Sequence, residues 1–229
     1  MTLVKRIPIL VALATAATGL IVWFIRKMGG RKEQTGQRKQ VLYQNVLSEI
    51  DGRVDDLISE TIYIDNAGLV LTGPFLPRLF EQLDLLGENE HGVPRLRDSE
   101  VVSRAVHLLQ YLVDGRTDAP DPSLVLNKIM CGVPTDTPVE RAIELTEEER
   151  GLCERLLTGM IANWKIIENT SIACLRETFL RREGRLESTP DGWELKVQRK
   201  TLDVLVDQIP GSVSVIFNKW MPQVLRVTW

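Results

Sequence analysis

Two histidines and three cysteines are the whole supply of soft ligands and ready nucleophiles in this chain of 229 residues. His91 lies in a polar stretch and His107 among apolar residues, a set too poor for a metal site. Cys131, Cys153 and Cys174 are odd in number, far apart and free of any Cys-x-x-Cys pair. That spacing excludes a zinc ribbon and argues against a disulfide framework. Each sits in an apolar helical run and reads as a buried thiol. Gly-x-Gly-x-x-Gly, the phosphate loop and Gly-x-Ser-x-Gly are all missing, so the sequence shows no nucleotide cradle and no nucleophile elbow. Glu147-Glu148-Glu149 reads as the acidic first turn of a helix rather than a cation site. The one arrangement left to an enzyme pairs His107 with Cys153 or Cys174; a packed helical histidine is the better account. No catalytic, cofactor-binding or metal-binding residue is assigned, no cofactor is expected, and the chain is not read as an enzyme.

What is present is unevenly spread. Residues 1–39 hold 8 of the 28 lysines and arginines and one acid, Glu33. The remainder carries 20 basic and 30 acidic groups, a net charge of −10. An acidic body is a poor match for phosphates, so nucleic acid is not expected as a partner. Residues 7–25 run from Ile7 to Ile25 without a charge. About 19 apolar residues approach the length needed to cross roughly 30 Å of hydrocarbon. The heavy basic flank after Trp23-Phe24-Ile25 argues for an uncleaved membrane segment over a signal peptide. It also argues for a cytoplasmic body. A polar, basic linker follows, and then an amphipathic helix over 41–59.

The block Ile62-Tyr63-Ile64-Asp65-Asn66-Ala67-Gly68-Leu69-Val70-Leu71 starts like a strand, breaks at Asn66 to Gly68 and resumes at Leu69. Gly73-Pro74 turns it, and Pro77 fits the first turn of a short helix that ends near Gly87. A polar loop over 88–97 leads to a helix capped by Asp98 or Ser99 and stopped at Asp114-Gly115. A short helix is expected over 123–130. Thr146 and Glu149 form a capping box for a helix running to about Ile167. Thr170 or Ser171 starts the next helix. Trp193-Glu194-Leu195-Lys196-Val197-Gln198 then alternates with a strand's period of two. Residues 213–217 and 224–229 read as two further strands, and 202–209 as a short helix or extended piece. Trp164, Trp193, Trp220 and Trp229 read as core or interface anchors. The expectation is an α+β fold: a mostly helical body with a small, largely antiparallel sheet from 62–71 and 193–229, preceded by a transmembrane-type helix. The chain divides into a hydrophobic helix over 1–28, a linker and amphipathic helix over 29–59, and a body over 60–229.

The ordered series from Ile64-Asp65-Asn66-Ala67-Gly68-Leu69-Val70-Leu71 through Gly73-Pro74-Phe75-Leu76-Pro77 and Leu79-Phe80 resembles the tape measure proteins of contractile injection systems, which are phage-tail-like particles. Further pieces fall in the same order: Arg104 to Leu112, Leu126-Asn127-Lys128, Cys131-Gly132, Trp164, Asn169-Thr170-Ser171 and Leu175-Arg176. They continue with Phe179 to Gly184, Trp193-Glu194-Leu195, Asp203 with Leu205, Trp220-Met221 and Trp229. The chain departs from the pattern at Gly211 and Lys219, where the family has tryptophan and proline. The resemblance covers about 60–229 and implies a structural component at the tube lumen, baseplate or spike end, with a role in tube length or assembly. It implies tube, spike or baseplate proteins as partners and leaves room for a homo-oligomer. Residues 1–59, even wholly helical, would reach about 90 Å, short for gauging a long tube. Two localisations follow: inside the particle, or at the bacterial inner membrane through Ile7 to Ile25. The alternative function is a membrane-anchored cytoplasmic adaptor that docks a larger assembly.

Overall fold

The computed structural model describes residues 61–211 and 213–229. The expected hydrophobic helix, linker and amphipathic helix over 1–59 lie outside the described residues. No helix among the described residues is long and apolar enough to cross a membrane. The transmembrane-type helix of the expected fold is therefore not among the described elements, and inner-membrane anchoring has no support from them.

The body is built on five strands: β1 (Ile62–Ile64), β4 (Gly184–Thr189), β5 (Gly192–Val197), β6 (Val215–Ile216) and β7 (Val224–Thr228), in the order β1-β4-β5-β7-β6. A separate hairpin joins β2 (Leu86–Glu88) to β3 (Pro94–Leu96). The main sheet is mixed, because β5 and β7 run parallel while the other pairs are antiparallel. Three of the four pairings are antiparallel; the parallel β5–β7 pair, and a sheet that takes in 184–189 but not 65–71, correct the sheet expected from 62–71 and 193–229. After β5 the chain leaves the sheet through a 3-10 segment, Thr201–Gln208, and returns in the same direction, the long crossover that a parallel pair requires. The strand β4 was not foreseen. Its only large apolar residue is Leu186, so alternation is too faint to read from sequence. Inward rows such as Ile62–Leu186–Leu195–Val227 meet the core. The outward row Tyr63–Arg185–Lys196–Thr228 meets solvent.

The organising block also differs from its reading. Beyond β1 it does not resume as a strand: Ala67–Phe75 is a 3-10 segment whose residues 67–73 are all buried. A segment buried all round has no polar face to show a period, so its apolar run mimics a strand. A Cβ on Gly68 would lie 1.8 Å from the Phe179 carbonyl oxygen, so only glycine allows this close approach. The Ala67 amide donates to the Arg182 carbonyl at 2.9 Å, tying the block to the chain just before β4.

Helix α1 (Leu76–Gln82) follows with Pro77 in its first turn, and the loop expected over 88–97 closes as the β2–β3 hairpin. Helix α2 (Ser99–Asp114) runs through the core, with Ala105, Val106, Leu108, Leu109 and Leu112 fully buried. Its ends match expectation: the Val101 amide donates to the Asp98 carboxylate at 2.9 Å, and the Gly115 amide to the Tyr111 carbonyl at 2.9 Å. A 3-10 turn (Asp121–Leu124) leads into α3 (Val125–Met130). In α4 (Glu147–Asn163) both halves of the capping box are formed: the Glu149 amide donates to Thr146 Oγ1 at 3.2 Å, and the Thr146 amide to Glu149 Oε2 at 2.7 Å. Helix α5 (Ile172–Leu175) is capped by Ser171 and continues as a π-helical turn, Arg176–Leu180. Cys131 and Cys153 are buried as expected, but Cys174 is exposed. The helix α5 is short and keeps Leu175 inward, which leaves Cys174 on the solvent side.

Candidate functional site

Two centres are built from polar side chains buried inside the body. The first is neutral and joins the 3-10 block to α2 and α3. Asn66 Nδ2 donates to Asn127 Oδ1 at 2.7 Å and lies 3.3 Å from Gln110 Oε1. It also lies 3.2 Å from the Ser123 carbonyl. Asn127 Nδ2 donates to the Val106 carbonyl at 3.0 Å and Gln110 Nε2 to Asp114 Oδ2 at 2.8 Å. Asn66 Oδ1 has no partner. Buried amides need such partners because an unmet polar group costs about 1–3 kcal/mol.

The second centre is ionic. Arg182 and Asp203, both essentially without solvent exposure, pair through Arg182 Nη2 and Asp203 Oδ1. Arg182 Nε donates to the Thr178 carbonyl at 2.7 Å, and Asp203 Oδ2 accepts the Lys200 amide at 2.7 Å. The guanidinium carbon lies 5.9 Å from the Trp229 ring centroid. Arg182 Nη1 and Trp229 Nε1 are left without partners. The pair fastens the crossover segment to the chain just before β4.

Other charges also act as clips. Arg104 Nη1 contacts both oxygens of Glu149 at 2.8 Å and joins α2 to α4. Lys128 Nζ, buried, donates to Asp121 Oδ1 at 2.7 Å and to the Thr135 carbonyl at 3.1 Å. Arg176 Nε and Nη2 donate to the Leu112 and Tyr111 carbonyls in the last turn of α2. Trp164 Nε1 donates to the Leu205 carbonyl at 3.1 Å and Trp220 Nε1 to the Met130 carbonyl at 2.9 Å. Trp220 stacks on Phe80 at 4.9 Å between centroids. These two tryptophans are core anchors; Trp193 and Trp229 are half-buried.

The histidine and thiols that the sequence offers are not joined by a hydrogen bond among the described residues. His107 is fully buried, with Nε2 at 2.7 Å from the Glu140 carbonyl and Nδ1 unpartnered. Burial, with smaller contributions from Glu149 and Glu154, pushes the Cys153 thiol up to about 12, the reverse of nucleophile activation. Burial also pushes Cys131 up. Cys174 Sγ lies 3.7 Å from Thr178 Oγ1 and has no imidazole contact. No group of three or more His, Cys, Asp or Glu is placed to hold a metal among the described residues.

Sequence reasoning found the caps and missed both centres. Asn66, Asn127, Arg182 and Asp203 were each visible as pieces of an ordered series, yet nothing local pairs residues 21 or 61 positions apart. The one available signal is chemical: a lone Arg, Asp or Asn within an apolar run requires a buried partner.

The buried polar residues described above hold backbone segments together. The family model for contractile injection system tape measure proteins matches residues 27–229. The chain belongs to that family, whose members are structural components of the particle. No curated protein and no solved structure was found to match it.

Proposed function

We propose that the body stands at the baseplate or spike end of the tube lumen and takes part in tube assembly, in contact with tube, spike or baseplate subunits. The observation that carries this reading is the family match across nearly all of the described body. The arrangement of its residues supports it: the side chains that mark the family serve buried clips between segments, and the sheet turns a charged face outward. That face carries Arg185, Glu187, Glu194, Lys196 and Arg226. A rigid block with a polar, two-signed surface suits assembly contacts that must be specific.

The test is location. A short epitope placed at the exposed hairpin tip, between Glu90 and Gly92, leaves the core untouched. Gold labelling of purified sheathed particles is expected to mark one end. Deleting the gene is expected to abolish tubes or alter their length. Label spread along the sheath, or full-length tubes in the deletion strain, would refute the proposal.

A further inference from the structure

Helix α4 carries a glycine that nothing inside the body explains. Gly159 lies within the helix, where glycine is less favourable than alanine, yet a Cβ built there meets no atom within 4 Å. It opens instead into a groove of about 360 Å³ between α1 and α4. Both walls are helical stripes. Leu152, Leu156 and Gly159 are spaced i, i+4, i+7 on α4, and Phe75, Leu79 and Gln82 have the same spacing opposite. The floor is therefore aliphatic and aromatic. Arg78 and Arg155 stand exposed on the rims, and neither makes an ion pair or hydrogen bond among the described residues. They are unpaired cations on a body whose net charge beyond residue 39 is −10.

We propose that this groove receives an amphipathic helix of another particle subunit, one carrying acidic side chains on both flanks of its apolar stripe. The i, i+4, i+7 row on α4 is the ridge spacing that packs against a helix, and the missing side chain at Gly159 lets the incoming backbone approach closely. Arg78 and Arg155 supply the charge that selects acidic flanks and fixes register. The inference rests on the proposed place in the particle, and it names the surface that place would use.

The experiment is done in whole particles. Gly159→Leu fills open space and is expected to keep the wild-type circular dichroism spectrum, yet to be lost from purified particles. The double variant Arg78→Glu/Arg155→Glu, at two exposed positions, is expected to lose retention by roughly tenfold or more, while Arg78→Lys/Arg155→Lys retains it. A photo-crosslinking phenylalanine at Gln82 is expected to join an acidic, helical segment of another subunit; the same group at Glu194, on the outer sheet face, serves as control. Full retention of Gly159→Leu or of the glutamate pair would overturn the proposal. So would crosslinks to a second copy of this chain, or to a basic or extended segment. If wild-type chain marks one particle end and the variants remain, only the groove assignment fails. If wild-type chain is absent from particles, the assembly reading fails with it.

Discussion

The neutral centre beneath the helices and the ionic centre beneath the sheet solve the same problem with different chemistry. Asn66, Gln110 and Asn127 join segments already close through helix packing, so shared amide hydrogens suffice. Arg182 and Asp203 tie the 3-10 segment of the crossover to the chain just before β4, and they do so with buried full charges. A neutral cluster loses one hydrogen-bond set when a member is removed. A buried ion pair leaves an uncompensated charge, which costs far more. The difference teaches that helical packing here tolerates approximate partners, while the parallel connection does not.

Gly68 is the place to break both at once. It sits one residue after the Ala67 amide that binds the Arg182 carbonyl and two after Asn66. Gly68→Ala would drive a methyl group into the Phe179 carbonyl at 1.8 Å. The expected cost exceeds about 4 kcal/mol, read as loss of cooperative unfolding and of soluble yield. A variant with wild-type melting behaviour would show that the block is not the joint between the centres.

Asp203→Ala isolates the ionic centre. The expected loss is about 3–5 kcal/mol by denaturant titration. Arg182→Met with Asp203→Leu is expected to recover most of it, because the uncompensated charge is then gone. Equal loss in the single and the double variant would mean the pair is held for shape alone.

Asn127→Ala tests the neutral centre, with an expected loss of about 1–3 kcal/mol. A loss matching that of Asp203→Ala would erase the contrast between the two.

The smallest effect is read through the thiols. Cys174, exposed, is expected to react with an alkylating reagent in the native body, whereas Cys131 and Cys153 react only after unfolding. The sign of the pH effect follows from the same burial. An ordinary thiol ionises near 9, whereas folding raises Cys153 to about 12. Between those values the unfolded chain has lost a proton that the folded chain keeps, so stability falls as pH rises above about 9. Cys153→Ser is expected to flatten that alkaline slope. An unchanged slope would show that Cys153 is not its source.

Sequence alone determined the cap at Thr146 and narrowed two others to Asp98 or Ser99 and Thr170 or Ser171, of which the structure uses Asp98 and Ser171. It also fixed the inward face of β5 and the poverty of reactive groups. Each of these is local: a cap bonds an amide three residues on, and a strand shows its period within six. Tertiary structure alone decided that 67–75 is helical, that β5 and β7 run parallel, and which buried charges and amides meet. Those outcomes depend on contacts between distant segments, where the loss of water forces polar groups to find one another and packing overrides local preference.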